Sequence, residues 1–581
     1  MDRAAVAEAL EEIGLLLELL GENPFKTRAY ANAARIVRAL DESLDALIAS
    51  KRLAGIKGIG PALVDKITTL AATGSLPYLD GLRAQVPPGL LPWLGIASLG
   101  PKKVRAIHVT LGISTLDELE AAARDGKLRD IEGFGAASEK KILDGIARLR
   151  SHAGRFLRPV LLEEARRLET RLRAVEGAGR VSVAGSVRRG AETGKDVDLV
   201  ATAPDGEAVM DAFVSDPGVV EVVGRGPTKC SVRLSAGPAA DLRVVPEESY
   251  PFALLYFTGS KAHNVALRAR AQGMGLKLNE YALAREDDGA TVPCADEAAI
   301  YAALGLAFIP PELREDTGEI AAAARGELPR LVELSDLQGI LHCHTHWSDG
   351  VASIEEMADA ARAMGMGYLG LCDHSRSAAY AGGMSVERVR EQHREIDALN
   401  RRFDGAFRVL KGIEVDILAD GSLDYPDGVL ATFDLVVASV HSRFNLSAPE
   451  QTARMIRAVS NPYVDIVGHP TGRLLLVRDA YPLDLFAVLD AAAERGVAVE
   501  INAHPQRLDL DPAGLRHGLA KGMKTSIDPD AHDTAGLNDI VYGIETARRG
   551  GCTAGDVLNT RRLPALVELL RYRRRHARAG R

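Results

Sequence analysis

Gly185-Ser186-Val187-Arg188-Arg189-Gly190, followed by Asp196-Val197-Asp198, is the stretch that decides how this chain folds. An apolar strand over Arg180 to Ala184 runs into a Gly-Ser turn, and a second strand then carries two aspartates at i and i+2. Residues two apart on a strand face the same way, so both carboxylates project together. They emerge just beyond a turn whose Gly185 lets backbone approach a ligand closely. Two carboxylates about 4 Å apart repel by roughly 1 kcal/mol in water and about 4 kcal/mol at an effective dielectric of about 20. A divalent cation offsets that repulsion, and Mg²⁺ prefers oxygen ligands together with substrate phosphates. Ser186 and Arg189 are placed to hold such phosphates through hydroxyl and guanidinium donors. A lone Asp-x-Asp would read as a solvated turn, but the preceding turn favours a metal and phosphate site.

These residues resemble the palm of family X DNA polymerases, the group containing DNA polymerase beta and a bacterial branch. Such a palm needs a third carboxylate on an adjacent strand, and Asp241 in Ala239-Ala240-Asp241-Leu242-Arg243-Val244-Val245 fits. The resemblance implies nucleotidyl transfer with two Mg²⁺ or Mn²⁺ ions on Asp196, Asp198 and Asp241, the primer 3′-hydroxyl attacking a nucleoside triphosphate. One departure stands out. Ala239 occupies the position where vertebrate relatives carry an arginine beside the third aspartate.

At 581 residues the chain has room for several domains, each with its own core. No apolar run reaches the ~18 residues of a membrane span, and Met1 to Leu20 reads as an acidic amphipathic helix, not a signal peptide. Cys230, Cys294, Cys343, Cys372 and Cys552 are scattered, which suggests a reducing compartment and no disulfide framework. The expectation is a monomer in the cytoplasm, at the nucleoid, with no membrane partner. A net charge of −8 does not advertise nucleic-acid binding, so DNA contact must come from local patches.

Residues 1–85 read as short helices, one starting near Pro24. Leu53-Ala54-Gly55-Ile56-Lys57-Gly58-Ile59-Gly60-Pro61-Ala62 is a helix-hairpin-helix signature. Its Gly58 and Gly60 expose backbone N–H groups at a helix start, where a DNA phosphate binds without base readout. The pattern recurs over residues 86–154, once in Leu94 to Lys103 with Gly100, Lys102 and Lys103, and once around Gly133 and Gly135. One such turn is weak evidence; three within about eighty residues argue for DNA. The first segment resembles the small family X domain that grips a gap's 5′-phosphate. Lys66 aligns with the lysine that forms a Schiff base in lyase-competent relatives, although the nearby phosphate-binding lysine is Ala62 here.

Residues 155–245 pattern as the α/β palm, with a helix over Val160 to Val175 ahead of the strands. Residues 246–318 form a small nucleotide-binding subdomain with Tyr256-Phe257-Thr258-Gly259-Ser260-Lys261. An aromatic pair ending at a glycine can stack on a flat ligand. By resemblance, Tyr256, Phe257 and Gly259 pack on the incoming nucleotide, while Asn264 and Arg268 contact base edges. Residues 319–338 read as a linker.

Residues 339–581 change character. Ile340-Leu341-His342-Cys343-His344 ends a strand, and further apolar runs end at Asp373-His374, carry Glu414, end at His441 and His469, carry Glu500 near Asn502 and His504, and precede Asp530 and His532. Seven β/α units with His, Asp and Glu at the strand ends describe the rim of a barrel holding a metal cluster. This half resembles the polymerase and histidinol phosphatase (PHP) domain, a seven-stranded β/α barrel with up to three metals. The resemblance assigns His342, His344, Glu414 and Asp530 to one ion, Asp349, His374 and His532 to a second, and Glu414, His441 and His469 to a third. Zn²⁺, Mn²⁺ and Fe²⁺ all suit such ligands. His346, Arg376, Arg443 and Arg473 lie near ligands and could orient a phosphate, and the basic tail after Arg561 reads as a frayed, solvated helix.

The expected architecture is multidomain α+β and α/β: helix-hairpin-helix domains, a nucleotidyltransferase palm, a small α/β subdomain and a C-terminal seven-stranded β/α PHP barrel. The implied activity is gap filling on gapped or primed DNA with dNTPs, joined to metal-dependent 3′-5′ exonuclease activity. Abasic-site endonuclease and 3′-phosphatase activities also belong to that expectation. Two alternatives stay open: a PHP nuclease whose polymerase half only binds DNA, and a small-molecule phosphatase.

Overall fold

The computed structural model describes residues 3–38, 40, 42–96 and 99–579. Ala97 and Ser98, in the second hairpin motif, Met1 and Asp2 of the first helix pattern, and the last two residues of the basic tail lie outside them. The chain divides into two compact units, Met1–Ala153 and Gly154–Arg581.

The first unit is all-helical. Helices α1 (Arg3–Leu20), α2 (Pro24–Arg38), α3 (Pro61–Thr73), α4 (Pro101–Leu111) and α5 (Ala136–His152) share one apolar core around Leu10, Ile67, Trp93, Ile107 and Ile142. Each hairpin ends on a glycine that caps the next helix: Gly60 before α3, Gly100 before α4 and Gly135 before α5. Pro61 and Pro101 follow at positions whose N–H would be unpaired in any case. Gly58 and Gly133 turn the chain at φ of +100° and +83°, a region that side chains with a Cβ rarely adopt. Lys103 Nζ lies 5.4 Å from the Phe134 ring centre, linking the second turn to the third.

The second unit opens with α6 (Arg158–Arg173) and a five-stranded sheet. Its strands are β1 (Val181–Val183), β2 (Asp196–Thr202), β3 (Val219–Arg225), β4 (Lys229–Leu234) and β5 (Ala239–Val245). Their spatial order is β1-β2-β5-β4-β3, with β2 and β5 parallel and the remaining pairs antiparallel. One apolar core gathers α6, the strands, and Val209, Met210 and Phe213 of the helix Gly206–Val214. A second, smaller cluster joins Ala184, Val200 and Val245 to α7 (Tyr250–Thr258). The adjoining subdomain, which includes α8 (Lys261–Gln272), packs around Tyr301, Leu267 and Leu283. The stretch read as a linker contributes to that core: Ala323, Ile320 and Leu328 pack on it, and Glu319 Oε1 lies 2.6 Å from buried His263 Nδ1.

Seven strands follow in order: β6 (Gly339–Cys343), β7 (Tyr368–Leu371), β8 (Arg408–Asp416), β9 (Leu435–Ser439), β10 (Ile466–Val467), β11 (Ala498–Asn502) and β12 (Thr525–Asp528). Every neighbouring pair is parallel, and helices alternate with the strands, as a β/α barrel requires. The first and last strands meet through Leu341 N–H to Asp528 Oδ1 at 2.7 Å and His344 N–H to the Ala531 carbonyl at 2.8 Å. Helix α9 (Ile540–Arg549) packs outside.

The C-terminal helix α10 (Leu563–Ala579) corrects the expectation of a frayed tail. Leu566 and Leu570 are buried against Tyr368, Leu435, Ile466 and Ala498, the first residues of four strands, so α10 plugs the N-terminal mouth. Arg573 and Arg574 both pair with the buried carboxylate of Asp465. The arginine run looked solvated because its acidic partner lies over a hundred residues upstream.

Candidate active sites

The palm site rests on strand register. Asp198 stands directly opposite Asp241 on parallel β2 and β5, and Asp196 stands two residues earlier on β2. Burial, and then crowding, raise the proton affinity of the two carboxylates on β2. Burial, then Asp196 and Asp241, push the Asp198 carboxyl up to about 7. Burial and Asp241 also raise Asp196. Cations beside such a cluster favour its charged form. One is present in the chain: Lys229 Nζ lies 3.2 Å from Asp241 Oδ2.

Gly185 has a task besides the expected close approach to a ligand. A Cβ built there would fall 1.9 Å from Asp198 Oδ2, and its φ is +62°. The glycine leaves room for the carboxylate itself. Residues Gly185–Arg188 form one helical turn, with Ala184 N–H donating to the Asp198 carbonyl at 2.8 Å. Ser186 sits in this turn, half-buried beside Gly194. Arg188 is committed elsewhere, forking onto Glu297 at 2.9 and 2.6 Å, with Arg314 also on Glu297 at 2.6 Å.

Arg189 is not a free phosphate ligand. Its Nη1 donates to the Thr258 carbonyl at 2.5 Å and its Nε lies 3.1 Å from Glu315 Oε1. Tyr256 and Phe257 end α7 half-buried, their rings edge to face with centres 5.2 Å apart. Arg243 lies 5.1 Å over Phe257. Gly259 follows at φ +69°, close to Arg189. Asn264 Nδ2 donates to the Tyr256 carbonyl at 2.7 Å, whereas Arg268 is exposed.

At the barrel's C-terminal rim, the ligand candidates converge in three overlapping groups, each with its donor atoms within 4.8 Å of one another. They are His344, Asp349, His374 and His532; His342, His344 and Asp530; and His374, Glu414 and His441. The overlap differs from the assignment by resemblance, since His344 and His374 each serve two groups. Glu414 is the centre. Its oxygens lie 2.9 Å from His374 Nδ1, 3.2 Å from His441 Nε2, 2.9 Å from His469 Nε2, 3.7 Å from His342 Nε2 and 3.8 Å from His344 Nε2.

Electrostatics hold the carboxylates ionised. Burial alone would raise Glu414 and Asp530, but neighbouring histidines hold both well below the usual range. Burial works against His374 as well, yet Glu414 and Asp349 bring it up to about 11. His344 goes the other way: burial, His532 and His374 push it down to about 3. Glu414 Oε2 and His374 Nδ1 are buried, 2.9 Å apart, and neither makes a hydrogen bond. A divalent cation there would replace the imidazole's proton and take a lone pair from each atom, so the residues fit divalent metals.

A supporting set fixes these side chains. His342 Nδ1 lies 2.6 Å from Glu500 Oε1, and the His469 N–H donates to Glu500 Oε2 at 2.6 Å. Glu500 was a ligand candidate in the sequence, but it stands outside all three groups and orients the His342 imidazole. Asp416 holds His441 Nδ1 at 2.6 Å, and its position two residues past Glu414 on the same strand face was the overlooked signal. Asp373, also at a strand end, accepts from Thr345, Ser348 and Gln392.

Two rim residues had no sequence signal. Arg507 Nε lies 3.6 Å from Asp530 Oδ2. Tyr380, 73% exposed, holds its ring 6.2 Å from His374 and 6.4 Å from His441. His346, Arg376 and Arg443 are exposed, while Arg473 is engaged with the Arg507 and Leu508 carbonyls and with Glu192. In the helical unit, Lys66 Nζ lies 4.8 Å from the Tyr78 ring centre.

Family models match a helix-hairpin-helix domain over residues 1–76, a SAM-like helix-hairpin-helix tandem over 92–148, the DNA polymerase beta thumb over 253–315 and a PHP domain over 341–504. The chain is 37% identical over 573 residues to the DNA polymerase/3′-5′ exonuclease PolX of Bacillus subtilis (strain 168), covering 98% of this chain and 100% of that one. A probable phosphatase of Thermoanaerobacter sp. (strain X514) is 32% identical over 240 residues, 38% of this chain and 90% of that protein. A probable phosphatase of Caldanaerobacter subterraneus is 30% identical over 207 residues, 34% of this chain and 77% of that one.

Proposed function

Because this chain belongs to the PolX family of DNA polymerase/3′-5′ exonucleases, we propose that its palm fills short gaps during DNA repair while its barrel trims 3′ ends. The observation that carries the polymerase half is Asp198 in register with Asp241, with Asp196 beside them. Its counterpart in the barrel is Glu414 within reach of five imidazoles.

Asp196, Asp198 and Asp241 would hold two Mg²⁺ or Mn²⁺ ions, and the barrel groups up to three Zn²⁺ or Mn²⁺ ions. Bound there, such ions neutralise phosphate charge and make a hydroxyl or water more acidic. The chain's own part is positioning. Tyr256 and Phe257 present an aromatic edge for the sugar and base of a dNTP, with Asn264 and Arg268 behind them on α8. Gly185, Ser186 and Gly259 line the phosphate side, and Arg189 reaches the phosphates once it leaves Glu315. In the barrel, Glu500 and Asp416 each hold the Nδ1 of one imidazole, which leaves its Nε2 free to ligate. Arg507 supplies a cation beside Asp530 for the scissile phosphate.

The turns at Gly58 and Gly60, at Gly100, Lys102 and Lys103, and at Gly133 and Gly135 are the DNA-backbone contacts of a gapped or primed duplex. A monomer working at the nucleoid suffices for this chemistry. The same barrel supports abasic-site cleavage and removal of a 3′-phosphate, because each presents a phosphoester at a DNA end or break. Lys66 is the candidate lyase residue; borohydride trapping on abasic DNA, lost in Lys66→Ala, tests it.

The main test uses gapped duplex with and without dNTPs. Asp198→Asn is expected to abolish extension and keep DNA hydrolysis, and His344→Ala to do the reverse. Extension that survives Asp198→Asn would refute the palm assignment.

A further inference from the structure

The turn 185–192 is held from behind by the barrel. Arg158, 4% exposed, donates from Nη1 to the Val187 carbonyl at 2.8 Å. The rest of its guanidinium forks onto Glu545 of α9, with Nη2 2.5 Å from Oε1. A Cβ at Gly190 would lie 3.5 Å from Arg549 Cδ and from Glu545 Cβ, so α9 packs directly on the turn. Glu192 accepts from Arg473 at 2.8 Å.

One oxygen joins the two halves. Glu315 Oε1 lies 3.1 Å from Arg189 Nε and 3.3 Å from Arg549 Nη2. All three side chains are mostly buried, at 16%, 15% and 28% exposed for Arg189, Arg549 and Glu315. A triphosphate that takes Arg189 must draw it away from Glu315. A largely buried carboxylate stripped of its only cation is costly. With Arg549 still in place, Glu315 remains paired when Arg189 departs.

We infer that Arg549, on the barrel, is a positioning residue for nucleotide addition in the palm, because it keeps Glu315 satisfied while Arg189 turns to the triphosphate. The inference rests on the reading of Arg189 as a phosphate ligand given above. It makes part of the barrel a support for the polymerase turn, separate from the barrel's own hydrolytic rim.

The test uses the full chain on gapped duplex, with nucleotide KM and kcat measured for R189A, R549A, R549K, E315Q and the R549A/E315Q pair. Equilibrium binding of dNTP to a complex with a dideoxy-terminated primer gives a second readout free of turnover. R549A is expected to raise nucleotide KM about five- to tenfold with little change in kcat, the scale of coupling between contacting charged side chains. R549K recovers most of the loss. The double variant has the KM of E315Q, since no carboxylate is left to retain Arg189. DNA hydrolysis by R549A stays unchanged.

If R549A melts early, Arg549→Met keeps the apolar stem on the turn and replaces it. A double variant as impaired as R549A would reduce Arg549 to a packing role and overturn the inference. R189A raising KM while R549A does not would also overturn it, leaving the phosphate role of Arg189 intact. An unchanged KM in R189A would refute that phosphate role and the inference with it.

Discussion

Replacing Gly185 by alanine tests the palm at its tightest point. The new methyl group would lie 1.9 Å from Asp198 Oδ2, and ordinary contact begins at 3.4 Å, so the carboxylate must retreat by about 1.5 Å. Displacements of about 1 Å at a reacting centre cost on the order of a hundredfold in rate. The φ of +62° adds backbone strain of roughly 1–2 kcal/mol. Gly177→Ala supplies the control, because Gly177 has φ +80° and nothing within 4 Å of the place its new methyl would take. It carries the strain without the collision. Single-turnover gap filling by G185A should fall by about two orders of magnitude or more, while G177A fills gaps at the normal rate. Both variants should melt slightly early, and both should hydrolyse DNA normally, since the barrel is untouched. Normal gap filling by G185A, or equal losses in the two variants, would refute the view that Gly185 exists to make room for Asp198.

Three further outcomes follow from the same geometry. Asp198 has a folded pKa of about 7, above the unfolded value of about 3.9, so the folded state binds the extra proton and the group's stabilisation is lost as pH rises from about 4 through 7; melting in chelator should show this fall, Mg²⁺ should restore stability most above pH 7, and Asp198→Asn should flatten both effects. Glu414→Gln removes the charge that five imidazoles share, so metal analysis should find at least one ion fewer per chain and DNA hydrolysis should be lost with gap filling retained; full metal content would refute the central role of Glu414. Leu566→Ala opens a cavity at the barrel's lower mouth, where the side chain is fully buried, and should destabilise by about 2–5 kcal/mol in denaturant titration; a loss under about 1 kcal/mol would mean α10 is not a plug.

Much of this was legible in the chain because strand chemistry is local. Asp196 and Asp198 had to share a face, and seven apolar runs ending in His, Asp or Glu had to be the rim of a barrel. Partners distant in sequence were not legible. Nothing near Arg189 announces Glu315, which claims its guanidinium from 126 residues away. The arginines of the tail looked solvated because Asp465 and the strand starts that α10 covers lie far upstream. The clearance that Gly185 gives Asp198 was not legible, because a glycine's empty space has no owner until the fold supplies one. The grouping of the barrel ligands likewise waited on closure, since only the assembled rim makes His344 and His374 neighbours of two groups each.

The seam between Arg158, Glu192, Glu315 and the residues Arg473, Glu545 and Arg549 sets the terms on which these enzymes can exchange parts. A chimaera that grafts a relative's barrel onto this palm would bring a foreign outer helix against the turn at 185–192, and mismatched charges would be felt in polymerisation, not only in hydrolysis. A productive graft has to carry the outer helix and its palm-side partners together.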